Sequence, residues 1–225
     1  MSAMPVTGVR SVTMQETRRR VERRLKKAGL EPSAHVVDQL VDYLVLLERW
    51  NTRMNLTALD RPDDAVDRLL VEPLLAAREI TSGAKSLIDI GSGGGSPAIP
   101  LKVARPDLAL TLVEAKTRKS VFLREVVRHL ALTDCQVETT RFEQLLTRPA
   151  FLESMDVLSL RAVRVEMQEL RTLQAFIVRG GQMLWFLSGS QPVPIVPPPL
   201  RLVAEQPLVE SLRSRLVVLQ KQNIG

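Results

Sequence analysis

The stretch Ser86–Pro100, SLIDIGSGGGSPAIP, constrains this chain more than any other. A short apolar run ends in Asp89, glycine then fills Gly91, Gly93, Gly94 and Gly95, and Pro97 and Pro100 flank a small apolar pair. An apolar run that stops abruptly at glycines predicts a buried strand ending in a turn, and the residues after it are spaced for a helix. Between a strand and a helix, at the C-terminal edge of a parallel sheet, such a loop is where open α/β folds bind ligands. Glycine suits it because it lacks a Cβ, permits positive φ and lets a ligand approach the main chain.

The chain supplies the rest of such a sheet. After Gly83, strands are expected at Ser86–Ile90, Ala109–Glu114, Gln136–Thr139, Asp156–Leu160 and Gln182–Leu187, alternating with helices at Pro97–Ala104, Thr117–Leu130 and Val165–Val178. Alternation of this kind implies a parallel sheet covered on both faces. RLVAEQPLV and SRLVVLQ then read as two strands whose short link makes them antiparallel, after a proline-rich extended loop, QPVPIVPPP. Before Gly83 the pattern is helical: about Gln15–Ala28, then a helix capped by Ser33 with Val37, Leu40, Val41, Leu44 and Leu47 on one face, then one starting at Pro62 that Pro73 should kink or break. The expected fold class is α/β, with residues 1–80 a helical N-terminal extension packed on a core of residues 81–225.

Composition narrows the function classes. At 225 residues and 45% apolar, the chain has material for one sizeable domain. No apolar run approaches the roughly 20 residues of a membrane span, and the N-terminus has no secretory h-region. With the single cysteine, Cys135, this points to a cytoplasmic protein without a metal site, and a monomer is expected. The net charge of +6 equals that of RRRVERRLKK alone, Arg18–Lys27. Arg18, Arg19, Arg20, Arg23 and Arg24 are therefore candidate RNA contacts, the alternative being a solvated helix face.

The glycine spacing discriminates between ligands. A dinucleotide loop needs G-x-G-x-x-G, and Ser96 stands where the third glycine would be. A P-loop needs Lys-Ser or Lys-Thr after its glycines, and none follows at that spacing. The string is D-x-G-x-G-x-G, Asp89, Gly91, Gly93 and Gly95, which resembles the loop of class I (Rossmann-like) methyltransferases that bind S-adenosylmethionine. Glu114, 23 residues after Gly91, ends the second strand, where an acid can accept both ribose hydroxyls of that cofactor or of NAD. The terminal strand pair suits a methyltransferase sheet with its antiparallel last strand.

More than the loop matches. From about Tyr43 to Gly180 the sequence resembles the RsmG (GidB) family of bacterial small-subunit ribosomal RNA guanine-N7 methyltransferases, on ERWNTRMNLTAL (Glu48–Leu59), on Asp89–Leu132, on RFEQL (Arg141–Leu145) and on LRAV (Leu160–Val163). The resemblance implies that S-adenosylmethionine lies against Gly91 to Ser96, that Glu114, Ala115 and Lys116 flank its ribose, and that Phe142 and Glu143 flank its adenine. It implies that Arg161 reaches the cofactor or the incoming base, the alternative being a salt bridge. For Phe142 and Glu143 the alternative is an exposed helix start. Asn55 and Thr57 would line the pocket, Asn55 and Arg161 being the candidate catalytic residues. The implied partner is small-subunit ribosomal RNA or the ribosomal particle. Departures fall at Leu69, Glu72 and Pro73, where the family tends to continue Arg68 as Arg-His-x-x-Asp-Ser, and at Ser96 and Ala98 beside the first proline.

The chemistry agrees with a ring nitrogen as acceptor. Guanine N7 has a free lone pair, so no base must first remove a proton. Methylation at pyrimidine C5 needs a cysteine nucleophile, and Cys135 has no evident activating partner and is expected to be buried and inert. The Asn/Asp-Pro-Pro-aromatic loop of amino-group methyltransferases is replaced by LSLRAV. His35 and His129 are expected to be solvated, and Trp50 and Trp185 to be core. The rivals are a small-molecule methyltransferase and an RNA-binding paralogue with weak or no activity.

Overall fold

In the computed structural model, which describes residues 14–54, 56, 61–161, 165–189, 193 and 195–222, the strands close into one seven-stranded sheet. Strands β1 (Ser86–Ile90), β2 (Ala109–Val113), β3 (Cys135–Glu138), β4 (Met155–Arg161) and β5 (Ile177–Ser188) run parallel. β7 (Ser214–Lys221) pairs antiparallel with both β5 and β6 (Leu200–Pro207), and the sheet order is β3-β2-β1-β4-β5-β7-β6. The chain therefore moves outward from β1 in one direction and returns to β4 on its other side. The C-terminal ends of β1 and β4 meet at the point where the order reverses, the place where open α/β sheets hold ligands.

Successive residues of the central strands feed opposite faces. Leu87, Leu110, Leu112, Val157 and Leu184 point into one apolar cluster, and Ile88, Val113, Leu158, Leu160 and Met183 into the other. Helices α5 (Ala98–Ala104) and α6 (Thr117–His129) cover the first face, and α8 (Met167–Leu173) covers the second; α7 (Phe142–Leu145) is a single turn after β3. The helix expected over Val165–Val178 is shorter than its sequence suggests. It ends in a 3-10 turn at Gln174–Phe176, and β5 begins at Ile177. The strand absorbs the glycine pair as a bulge: its register against β4 shifts between Met155 and Val157, and a Cβ on Gly181 would lie 2.8 Å from the Asp156 carbonyl oxygen.

The N-terminal helices join the first face. In α1 (Met14–Lys27) the buried Thr17, Val21 and Leu25 recur every fourth residue, and α2 (Ala34–Asn51) starts at Ser33, whose hydroxyl accepts the Val36 N–H. Both helices contribute to the cluster that holds Leu87 and Val157. The third helical stretch does not break at Pro73. It runs as α3 (Pro62–Val66), a π-helical turn at Asp67–Val71 and α4 (Glu72–Ala76). Proline cannot donate to the preceding turn and crowds it, so the helix widens by one residue there and continues.

The basic run of α1 is largely tied to this layer. Arg18 pairs with Glu22 and Asp38, Arg20 and Arg23 with Asp63, and Arg24 with Asp63 and the buried Asp67, its Nε donating at 2.7 Å. Among the described residues Arg19 is the member of the five without such a pair. Arg24→Ala should lower folding stability by about 3 kcal/mol, because it strands a buried carboxylate, and Arg19→Ala should leave the urea midpoint in place. Equal midpoints for the two variants would contradict this division of the cluster.

Candidate active site

The ends of β1 and β4 open into a cavity of about 380 Å³ whose lining includes Arg68, Asp89, Gly91, Gly93, Ser96 and Arg161. Its floor is the loop after β1, which is fastened to the end of β2. The N–H groups of Gly91 and Ser92 donate to the Val113 carbonyl at 2.9 and 3.0 Å. Glu114 continues the clamp: one carboxylate oxygen accepts the Gly93 N–H at 2.9 Å and the other the Lys116 N–H at 2.8 Å. From α2, the Tyr43 hydroxyl donates to the Gly94 carbonyl at 2.6 Å.

The glycines have different reasons to be there. At Gly91, φ is +73° and an added Cβ would meet nothing within 4 Å, so bare main chain adjoins open space. At Gly95, φ is +90° and a Cβ would lie 2.9 Å from Ile99 Cγ1 and 3.4 Å from the Tyr43 hydroxyl. Gly95 therefore serves the packing of loop, α2 and α5 and does not line the cavity.

Two buried charges frame the cavity. Asp89, 1% exposed, accepts the Ser159 hydroxyl at 2.5 Å on Oδ1, while Oδ2 has no partner among the described residues. Burial raises its carboxyl from 3.8 to about 6, against the opposing hydrogen bonds from Ser159 and Ser92 and the charge of Arg161. The Arg161 guanidinium lies 4.5 Å over the Phe186 ring and pairs through Nη1 with Glu72, itself buried. Arg161 Nε and Nη2 and Glu72 Oε1 have no hydrogen-bond partner among the described residues. Burial lowers the pKa of Arg161, and Glu72 opposes that shift. Asp89 and Arg161, both in the cavity lining, therefore each carry buried polar atoms without a partner among the described residues, an acceptor on one and donors on the other.

Other expected residues fall elsewhere. Glu114, Ala115 and Lys116 follow β2, and Phe142 and Glu143 open α7; all lie along the same sheet edge but do not line this cavity. Glu114 braces the loop main chain with both oxygens, a role not anticipated beside the expected ribose contact. Asn55 and Thr57 lie outside the described residues. Cys135 is half-buried and not fully buried as expected; it starts β3, at the end of the sheet away from the cavity, and burial pushes its thiol up to about 11. His35 and His129 are exposed and Trp185 is core, whereas Trp50 is only partly buried. Among the described residues no helix is long and apolar enough to cross a membrane.

With this geometry, comparison with known proteins is decisive. The model of the GidB family, described as rRNA small subunit methyltransferase G, matches residues 36–193. The chain belongs to that family. The ribosomal RNA small subunit methyltransferase G of Chloroflexus aggregans is 41% identical over 167 residues, 73% of this chain and 68% of that one. Its counterpart from Xanthomonas axonopodis pv. citri is 40% identical over 164 residues, 73% and 70% of the two chains. Among solved structures, a SAM dependent methyltransferase from Aquifex aeolicus superposes with TM-score 0.55 at 14% identity, covering 73% of this chain and 95% of that one. A mutant MtNAS in complex with S-adenosylmethionine superposes with TM-score 0.56 at 14% identity, covering 96% and 86%. These two likenesses establish the class I methyltransferase fold, mostly parallel with an antiparallel terminal strand.

Within the GidB frame, two of the residues that depart from the expected pattern, Leu69 and Ser96, are joined by a hydrogen bond. In an ordinary α-helix the Leu69 carbonyl would take the N–H of residue 73, which proline lacks. The Ser96 hydroxyl donates to that carbonyl instead, at 2.9 Å. Leu69 and Ser96 both line the cavity. Glu72 keeps a carboxylate and supplies the counter-charge of Arg161. The signal available in the sequence was an acid in an apolar run, LLVEPLL, which an interior helix face does not carry without a partner.

Two outcomes follow. Ser96→Ala should destabilise the wild-type background by about 1–2 kcal/mol more than a Pro73→Ala background, where residue 73 regains its N–H; additivity in the double-mutant cycle would refute the link. For Asp89, the raised carboxyl binds its proton more tightly in the folded state than in the unfolded chain. Its contribution to stability is full below pH 3.8 and gone once the pH passes about 6. The stability difference between Asp89→Asn and wild type should therefore move in the variant's favour by roughly 2 kcal/mol from pH 4 to pH 7, and a pH-independent difference would contradict the burial argument.

Proposed function

We propose that this protein transfers the methyl group of S-adenosylmethionine to N7 of a guanine in small-subunit ribosomal RNA. The observation that carries the proposal is the conjunction of the family match over residues 36–193 with the unpaired Asp89 and Arg161 atoms at the switch point of the sheet. When bound, the cofactor supplies an activated methyl on a sulfonium. Asp89 Oδ2 is an acceptor for its ammonium or hydroxyl groups, and Arg161 Nε and Nη2 are donors for its carboxylate or for the base. Bare main chain at Gly91 admits a ligand at close range, with Gly93 and Ser96 completing that wall. The expected ribose and adenine contacts, Glu114 to Lys116 and Phe142 with Glu143, continue along the sheet edge away from Arg161.

Ring-nitrogen chemistry fits what surrounds the cavity. N7 attacks through a lone pair, so the residues need to align and desolvate the reactants and need not abstract a proton. With Arg161 paired to Glu72, the charged residues left in the cavity lining are Asp89 and Arg68, one of each sign, which supports entry of a cationic donor without net repulsion. Cys135, at the far end of β3 with its thiol protonated, is unsuited to nucleophilic attack at a pyrimidine carbon. Arg161 forms the salt bridge that was the alternative to a ligand role and also lines the cavity, so the bridge leaves a contact with the cofactor or the base open to it.

The test uses purified protein, S-adenosylmethionine and deproteinised small-subunit RNA, read by mass spectrometry of nucleosides. The expected product is 7-methylguanosine at one site. RNA carrying 7-deazaguanosine at that site should accept no methyl, and methylation that persists there would overturn N7 as acceptor. Asp89→Ala should weaken S-adenosylmethionine binding at least about tenfold, the effect of one lost charge-assisted contact.

A further inference from the structure

The charge expected to meet RNA on α1 is mostly spent on Asp38, Asp63 and Asp67. A different basic surface is free. Where the C-terminal end of α2 meets the start of α6, a groove of about 480 Å³ is lined by Arg49, Trp50, Arg53, Met54, Arg118 and Val121, with Glu125 at its edge. Arg49, Arg53 and Arg118 are exposed, and none has an acidic partner within ion-pair distance among the described residues. Between them the lining is apolar: Trp50 is partly buried with its ring 5.6 Å from that of Phe122, Met54 is partly buried, and Val121 is 47% exposed.

The groove adjoins the cavity through two shared elements. Leu47, one turn before Trp50 on α2, lines the cavity. Lys119, next to Arg118, brings its Nζ within 4.0 Å of where a Cβ on Gly93 would stand. An unpaired strand entering the cavity would pass over this groove. Three cations around an aromatic and thioether floor, with an aliphatic neighbour, are what a single strand needs: phosphates on the rim and a base on the floor.

Resting on the RNA reading above, we infer that this groove is a single-stranded RNA subsite, in which Arg49, Arg53 and Arg118 take the phosphates and Trp50 the base of nucleotides flanking the target. Glu125 is the one acid in the lining and opposes that use, so its charge tunes affinity downward.

Binding of a short unstructured RNA oligonucleotide of ribosomal sequence, titrated over a range of salt, tests the assignment. The slope of log K against log salt should fall by about 2 in Arg49→Ala/Arg53→Ala/Arg118→Ala, from roughly 0.7 per lost phosphate, with S-adenosylmethionine binding unchanged by calorimetry. Glu125→Gln should tighten RNA binding about two- to fivefold at low salt, a gain that misfolding cannot imitate. An unchanged slope in the triple variant, or no gain in Glu125→Gln, overturns the subsite. Loss of binding to assembled particles with naked RNA unaffected would overturn it too, in favour of a protein contact. Failure of the wild type to methylate small-subunit RNA under any condition would instead overturn the functional reading, whatever the groove does.

Discussion

The Glu114 carboxylate stands at the end of β2 and holds, with its two oxygens, the N–H groups of Gly93 and Lys116. With the Val113 carbonyl, which takes those of Gly91 and Ser92, it anchors the loop after β1 to the loop after β2. Glycine-rich segments have the largest conformational entropy to lose, and nothing intrinsic to this one selects a shape. The neighbouring strand selects it, by saturating the donors on its inner edge. An ionised acceptor makes these bonds stronger than neutral ones. The clamp fixes the course of the loop that lines the cavity, Asp89 being held instead within β1 by its pairing with β2 and β4, and it uses a residue whose spacing would be unchanged if it bound only ribose.

The opposite wall has its own tie. Arg161 leaves the end of β4 and would be a buried cation without an ion-pair partner were Glu72 absent. Glu72 reaches it because the helix containing it widens at Asp67–Val71. Isolated buried charges are costly, whereas a pair with further hydrogen bonds is tolerated and sets geometry more than it adds stability. The pair is incompletely satisfied, with Arg161 Nε and Nη2 and Glu72 Oε1 lacking hydrogen-bond partners among the described residues. The helical layer is therefore a structural part of the site: Leu47, Leu56, Arg68 and Leu69 come from it, and Tyr43 steadies the loop from behind.

How far the sequence disclosed this follows from which forces are local. β1 was legible to the residue because its burial on both faces demands a continuous apolar run, and Ser33 announced α2 through the hydroxyl that caps it. Pro73 was legible as a disturbance but not as a π-turn, because the outcome depends on Ser96, 23 positions later, offering a replacement donor to Leu69. β5 was expected only from Gln182, whereas it begins at Ile177; pairing with β4 carries it across Gly180 and Gly181 through a bulge that the local sequence does not announce. Asp89 and the glycine spacing pointed to the loop that lines the cavity, but whether a given glycine faces open space or a packing contact depends on Ile99 and Tyr43, which no spacing rule contains.

The same reasoning relocates the positive charge. In the sequence, the arginines of α1 are conspicuous because they are contiguous, yet contiguity on a helix sends side chains around its circumference and toward whatever packs there. Asp38, Asp63 and Asp67 are dispersed through thirty residues of chain and converge on α1 only in the fold. Arg118 is far from Arg49 and Arg53 in the chain, and the fold brings the three to one groove where, among the described residues, no acid lies within ion-pair distance of them, Glu125 being the one acid in the lining. A phosphate backbone responds to the field that remains after internal pairing. Charge counted along the chain therefore says little about where that field emerges, which is set by where the aspartates fold.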